Sequence, residues 1–187
     1  MFKNILVPVD GSATANKGLR EAIRLAREQG ATLTLVHVVE EGLTYRSMGL
    51  DGAGFFLDEV LRALVRSGRV IVARALSAAH RAGVKARGEV IEDISEPVAD
   101  VIVREARKAK ADLIVLGTHG RRGVGRMLLG SDAEQIVRTS PVPVLLVRAP
   151  GREAKAARPA KPRAKHERKV IEVPRQPMRL AGYQRGF

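Results

Sequence analysis

Five short runs of β-branched and aliphatic residues alternate with stretches of helical periodicity, and this alternation constrains the fold more than any other feature. The runs cover residues 3–9, 32–39, 84–91, 112–117 and 141–147. Their apolar residues do not alternate with polar ones, which is typical of strands buried on both faces. Strands that alternate with helices need right-handed crossovers, and therefore a parallel sheet covered on both sides. The sequence predicts a doubly wound α/β domain.

Helices are predicted between these strands, at about residues 13–29, 57–82, 97–109 and 131–139. Ser12 or Thr14 can cap the first helix, and Gly30 ends it. Gly68 lies inside the second helix and is expected to weaken or bend it, because a helical glycine costs about 1 kcal/mol relative to alanine. Residues 40–56 contain several glycines and show no clear period, so they are predicted to form a long loop.

The composition excludes several kinds of site and several classes of protein. The chain has no cysteine, which excludes disulfides, thiolate metal sites and a catalytic cysteine. No stretch approaches about 18 consecutive apolar residues, so we expect no membrane span. The first ten residues do not have the pattern of a secretory signal. We therefore expect a cytoplasmic protein.

The net charge of +13 is concentrated at the C-terminal end of the chain. From Arg148 onward there are 12 Lys/Arg and 3 Asp/Glu, a net charge of +9, whereas the preceding residues carry 21 and 17, a net charge of +4. Residues 149–169 are mostly Ala, Pro, Lys and Arg, a composition typical of linkers and disordered segments. We predict a domain at residues 1–148 and a basic, largely disordered or extended tail at 149–187.

Three roles are open for this tail. We favour a solubilising extension. Its basic charge would alternatively attract nucleic acid without sequence selectivity, although only Tyr183 and Phe187 could stack on bases. A third role is docking of the apolar residues 170–173 on a sheet edge, including that of a partner subunit.

Two strand ends suggest where a ligand binds. The first strand ends in Asp10-Gly11-Ser12, and the fourth ends in Gly117 and Thr118. Ligands of open parallel sheets bind beyond the carboxyl ends of the strands, where the strand order reverses. If the first and fourth strands are neighbours, both ends face one crevice.

The residues that follow the fourth strand, 117–131, have a composition that suits phosphate. Their glycines let the backbone approach a ligand closely. Ser131 and the first amides of its helix form an anion site, and the spacing of Ser131 and Glu134 predicts a capping box. Positive charge comes from three arginines, Arg121, Arg122 and Arg126. The glycines follow neither the Walker nor the Rossmann spacing, and a plain flexible loop is the alternative reading.

The spacing Gly117-x2-Gly120-x9-Gly130-Ser131 resembles the nucleotide-binding signature of ATP-binding universal stress proteins. Residues 5–12 and 140–147 are similar to the beginning and end of the same family. The resemblance covers about residues 1–148. It implies a Rossmann-like, five-stranded parallel sheet with strand order 3-2-1-4-5, which places the first and fourth strands side by side.

The resemblance also implies a function. It implies a homodimeric module that binds ATP or another adenine nucleotide, with Mg²⁺ on the phosphates, and signals stress to an unidentified protein partner. The dimer would form through the last strand, between Val142 and Val147. No membrane partner is expected, and nucleic acid would be contacted only through the tail.

Site residues are implied by position within the family's motifs. The adenosine would be bordered by Pro8, Val9, Asp10 and Val38. The ribose and phosphates would lie against Gly117 and Gly120, with phosphate oxygens held by Gly130 and Ser131. The neighbouring Ser12, Thr118 and Arg121 complete the implied site.

Asp132 departs from the family's pattern, in which an aliphatic residue commonly follows the Gly-Ser pair. Its carboxylate favours the helix dipole but repels phosphate, and it could instead hold a metal ion. No catalytic residue is predicted, since Asp10 is expected to orient the nucleotide and His37 to be packed within a strand. We therefore expect at most slow ATP hydrolysis. The alternatives are a slow nucleotide hydrolase of related fold, or a dimeric scaffold that binds no nucleotide.

Overall fold

A computed structural model of the chain describes residues 1–39, 54–92, 96–118 and 129–148, with the backbone alone described for 54–58. One compact unit runs from Met1 to Gly151. Most of the predicted long loop (40–53) and the predicted tail (149–187) lie outside the described residues. Within those described, no helix has the length and apolar character that a membrane crossing requires.

Strands and helices alternate along the chain. The strands are β1 (Asn4–Pro8), β2 (Thr32–Val39), β3 (Ala86–Glu92), β4 (Leu113–Gly117) and β5 (Val144–Val147). The helices described are α1 (Ala13–Gln29), α2 (Gly54–Arg81), α3 (Val98–Lys108) and α4 (Ser131–Thr139). All strand pairs are parallel, and the order is β3-β2-β1-β4-β5. The predicted five-stranded sheet and its order are confirmed.

Three boundaries differ from the sequence predictions by two or more residues, and several others by one. α2 already begins at Gly54, so the prediction of a loop is wrong for residues 54–56. β3 begins at Ala86 rather than at Val84, because the Val84 amide donates a hydrogen bond to the Ala79 carbonyl (3.0 Å) and so belongs to the end of α2. β5 begins only at Val144, since the prolines that precede it have no amide to donate to a neighbouring strand.

Each face of the sheet carries its own apolar core. Alternate residues of a strand point to opposite faces, so Ile5 and Val7 pack with α1 and α2, whereas Leu6 packs with α3 and α4. All three side chains are fully buried. Burying a side chain of this size contributes about 1.5–3 kcal/mol. The two-sided burial explains why the strands read as continuous apolar runs.

Gly68 does not interrupt α2, which continues for 28 residues. A Cβ at this position would lie 2.5 Å from Cδ2 of His37 in β2 and 3.1 Å from Cγ1 of Val90 in β3. The glycine therefore allows the helix to lie close against the sheet. The glycine at this position is explained by the contact between helix and sheet, which helix propensity alone does not predict.

Candidate functional site

The carboxyl ends of β1 and β4 lie at the same edge of the sheet. The two strands pair in parallel, with Ile5 opposite Leu113 and Leu6 opposite Ile114. The segments that follow them, from Val9 and from Thr118, therefore leave the sheet side by side at the point where the strand order reverses. The first and fourth strands are thus neighbours, which is the condition under which the sequence analysis predicted a crevice at their ends.

The turn after β1 is held by its own side chains. The Ser12 amide donates a hydrogen bond to Oδ1 of Asp10 (2.8 Å), and the Ala15 amide donates one to Oγ of Ser12 (3.1 Å). Gly11 between them has φ +81°, a conformation that favours glycine. Of the two predicted caps, Ser12 is the one that caps α1. Asp10 is thereby fixed beside the start of α1.

Val9, just before this turn, is held by two hydrogen bonds. Its amide donates to the Val36 carbonyl (2.8 Å), and its carbonyl oxygen accepts a hydrogen bond from Nδ1 of His37 (2.7 Å), so that nitrogen carries a proton. Both residues are buried, with 4% of Val9 and 6% of His37 exposed. His37 is therefore packed, as predicted, and it fixes the backbone that carries Asp10.

Pro8 and Val38 share one face of the sheet. Both are half-buried, and both have the same strand parity as Leu6 and Val36, which face α3 and α4. Val38 packs against the core on that side, as does Leu129, which precedes α4. The two residues that were predicted to border adenosine thus offer apolar surface on the side where α4 begins.

Gly117 has a structural role in addition to the ligand contact that was predicted for it. A Cβ on this residue would lie 2.7 Å from the carbonyl carbon and 2.9 Å from the carbonyl oxygen of Thr14, in the first turn of α1. Gly18 faces the same contact, since its Cβ would lie 3.3 Å from the Gly117 amide nitrogen. Gly117 is needed for the close approach of β4 to α1, whatever it also does for a ligand.

The backbone of Thr118 joins three segments. Its amide donates to the Val147 carbonyl (3.0 Å), and its carbonyl accepts a hydrogen bond from the Gly130 amide (2.9 Å). The Gly130 amide is therefore already occupied, which does not fit its predicted role as a phosphate donor. Gly130 instead holds the start of α4 against the end of β4, and Thr118 is buried with 8% exposure.

The predicted capping box at Ser131 and Glu134 is wrong. The N-cap is Gly130, whose φ and ψ are −63° and 149°, and no side chain caps the helix. The Glu134 amide donates to the Gly130 carbonyl (2.9 Å), so Ser131 is the first helical residue. Ser131 is exposed, and helix geometry leaves the first-turn amides without intrahelical acceptors. Asp132 and Glu134 place two carboxylates in this turn.

Residues 119–128 of the predicted signature region lie outside the described residues. They include the predicted site residues Gly120 and Arg121, and also Arg122 and Arg126, and nothing follows for them. Sequence reasoning missed Thr14 and Gly18, which seat the start of α1 on Gly117. The signal in the sequence was Gly18, a glycine inside an amphipathic helix, which indicates close packing against another element. Among the residues described, no group of three or more His, Asp or Glu residues is placed to hold a metal ion.

A parallel sheet of order 3-2-1-4-5, covered by helices on both faces and with its crevice at the ends of β1 and β4, defines a Rossmann-like α/β protein. The chain belongs to the universal stress protein family, whose family model matches residues 1–148.

Individual relatives agree with this assignment. The chain is 33% identical over 153 residues to universal stress protein MJ0531 of Methanocaldococcus jannaschii, covering 82% of this chain and 86% of that protein. It is similar to the structure of universal stress protein UspA from Lactobacillus plantarum, with a TM-score of 0.67, 26% identity and coverage of 78% and 97%. It shares the fold of the Archaeoglobus fulgidus universal stress protein in complex with dAMP, with a TM-score of 0.54, 24% identity and coverage of 78% and 97%.

Proposed function

We propose that this chain binds an adenine nucleotide, ATP with Mg²⁺, in the crevice between the ends of β1 and β4. In this proposal it serves as a homodimeric stress-response module in the cytoplasm. The observation that carries the proposal is the meeting of three features at one edge of the sheet: the Asp10–Ser12 turn, the end of β4, and the uncapped start of α4.

The apolar and polar parts of the site suit different parts of a nucleotide. Pro8 and Val38 present half-buried apolar surface on the α3/α4 side, which suits a purine ring. The hydroxyl of Ser131 and the first-turn amides of α4 suit phosphate oxygens, because helix N-termini favour anions. A protein of the same fold is known in complex with dAMP, which supports an adenylate as the ligand.

Mg²⁺ fits the chemistry of the acidic residues here. This ion is usually held by one or two carboxylates together with substrate phosphates, and not by a closed protein cage. Asp10 at the end of β1 and Asp132 in the first turn of α4 supply carboxylates. A bound cation would also offset the repulsion between Asp132 and a phosphate.

We propose a binding role in preference to an enzymatic one. Oδ1 of Asp10 already accepts the Ser12 amide hydrogen bond that shapes the turn, so this carboxylate positions a ligand better than it accepts a proton. Turnover well above about 1 s⁻¹, an ordinary enzyme value, would favour the hydrolase alternative. The scaffold alternative predicts no nucleotide binding.

Calorimetric titration of the full chain with ATP and Mg²⁺ tests the proposal. We expect saturable binding that Ser131→Ala weakens by about fivefold, since one hydrogen bond is worth about 1 kcal/mol. Thr139→Ala is the matched control at the other end of α4, where the hydroxyl donates to the Gln135 carbonyl (2.9 Å), and its nucleotide affinity should equal that of the wild type. An absence of saturable binding by the wild type would leave the scaffold alternative in its place.

The dimer is proposed to form through β5, which lies at one edge of the sheet. An edge strand has an unpaired row of amides and carbonyls on its outer side. Leu145 in this strand is 38% exposed, which is unusual for a large aliphatic side chain in a doubly wound sheet. Pairing with the same strand of a second copy would cover both.

A further inference from the structure

The outer face of α2 carries an unusual concentration of arginine. Five exposed arginines follow one side of this helix: Arg62, Arg66, Arg69, Arg74 and Arg81. No Asp, Glu or Lys occurs between Val60 and Gly83. At a rise of 1.5 Å per residue, the row extends for about 28 Å. We refer to these five residues as the arginine row.

The arginine row differs from the charged surface of the other helices. On α3 and α4 three cations are ion-paired: Arg104 with Glu96 (2.6 Å), Lys108 with Glu105 (3.2 Å) and Arg138 with Glu134 (2.9 Å). Arg107 of α3 forms no salt bridge with the residues that the structure describes. On α1, Arg24 contacts both Glu21 and Glu28, whereas the other three cations of this helix form no salt bridge among the described residues. The arginine row therefore differs in that none of its members is paired, and not in having unpaired cations as such. Within the described part of the chain, none of the arginines of the row forms a salt bridge. Among the described residues, no carboxylate is therefore paired with these five charges.

The surroundings of the row add little negative charge. Glu92 of β3 lines a shallow groove with Arg69, and Glu59 is exposed one turn before Arg62. Arg81 donates a hydrogen bond from Nη1 to Oγ of Ser77 (2.6 Å), which orients its guanidinium group. A net positive strip on a rigid helix thus faces solvent.

We infer that the arginine row binds the phosphate backbone of double-stranded nucleic acid without reading its sequence. Guanidinium groups match phosphate oxygens in a bidentate manner, which lysine does not. The part of α2 whose side chains the structure describes, residues 59–81, contains no Phe, Tyr or Trp, and its single aromatic ring is that of His80, so the face is poorly suited to stacking on successive single-stranded bases. An array about 28 Å long spans successive phosphates of a duplex, which is the source of non-specific affinity.

The same face is poorly suited to a lipid surface. Helices that lie on membranes insert a broad apolar side, but the apolar side of α2 is packed on the sheet through Val72, Ala75 and Ala79. Val70, at 50% exposure, is the one large aliphatic residue exposed among the arginines. An anionic bilayer is therefore an outcome to be excluded by experiment.

Fluorescence anisotropy of a labelled 25-base-pair DNA duplex, titrated with the full chain at several salt concentrations, tests this inference. Each phosphate contact adds about 0.9 to the slope of log affinity against log salt. Replacing Arg62, Arg66 and Arg69 together by Gln should lower that slope by about 2–3 and weaken binding at least about tenfold near 100 mM salt. The triple replacement by Lys should keep the salt slope, because the charge is kept, but should bind more weakly than the wild type, because the bidentate contacts are lost.

A charge-matched control separates the arginine row from the tail. Replacing Lys161, Arg163 and Lys165 by Gln removes the same charge from the sequence beyond the domain. We expect this variant to bind the duplex more tightly than the Arg-to-Gln variant of α2. Equal losses in the two variants would overturn the inference in favour of net charge, and binding to phosphatidylserine vesicles without binding to the duplex would overturn it in favour of a membrane. Circular dichroism confirms that each variant is folded.

Discussion

At the scale of single residues, glycines mark the places where one element touches another. Gly117 lies against the backbone of Thr14, and Gly68 against the His37 ring. His37 in turn holds the Val9 carbonyl at 2.7 Å. α2 therefore contacts, through His37, the backbone that positions Asp10. A methyl group added at Gly68 should disturb that backbone.

Gly68→Ala sets two opposite effects against each other. Alanine is favoured over glycine in a helix by about 1 kcal/mol. The added Cβ would lie 2.5 Å from a ring atom of the buried, hydrogen-bonded His37, and overpacking of this kind costs about 1–3 kcal/mol. We expect a net loss of about 1 kcal/mol in the free energy of unfolding, measured in urea. Ser67→Ala, at the exposed neighbouring position, should be neutral or stabilising; a stabilised Gly68→Ala protein would contradict the packing argument.

At the scale of elements, the helices that flank the crevice start in different ways. α1 is capped by the Ser12 hydroxyl, which accepts the Ala15 amide, whereas α4 starts at Gly130 without a side-chain cap. Both helices point their amino ends toward the same edge of the sheet. The Ser12 hydroxyl caps α1, whereas the Ser131 hydroxyl does not cap α4 and is placed to contact a ligand.

The two serines should therefore separate stability from binding. Ser12→Ala should lower the free energy of unfolding by about 1 kcal/mol, as loss of an N-cap does. Ser131→Ala should change it by less than about 0.5 kcal/mol, as is usual for exposed positions, although it weakens nucleotide binding. Thermal and urea unfolding of both variants measure this contrast. If Ser131→Ala were the more destabilising change, Ser131 would be the cap after all.

The sequence predicted the elements well where a local period defines them. Thr32–Val39 and Ala13–Gln29 match their predicted bounds, because a β-branched run and an apolar helical stripe are local signals. The strand order came from the family resemblance, since local periodicity does not specify which strands pair. The role of Gly117 and the occupied Gly130 amide could not be predicted, because both depend on segments that meet only after folding.

At the scale of the whole molecule, the two edges of the sheet differ. β3 has α2 and its arginine row beside it, and β5 ends the sheet on the other side with Leu145 exposed. A molecule that pairs through one edge keeps the other available. The proposed dimer can therefore form through β5 while the arginine row of each copy binds nucleic acid.

Leu145→Lys tests the dimer. A lysine in an edge strand opposes strand pairing because its charge would have to be desolvated. We expect the wild type to be a dimer and this variant a monomer at micromolar concentration, measured by light scattering after size exclusion. Val70→Lys introduces the same residue at an exposed aliphatic position on α2 and should leave the dimer intact. A wild-type chain that is monomeric across this range would rule the interface out.

The central position of β1 has a consequence for how the chain is made. β1 is synthesised before the other strands described, yet it must lie between β2 and β4, and its neighbour Leu113 is synthesised more than a hundred residues later. Closing so long a stretch of chain is slow compared with forming local contacts. During translation the apolar strand β1 therefore has one side unpaired until β4 has left the ribosome, when most of the domain has already been synthesised.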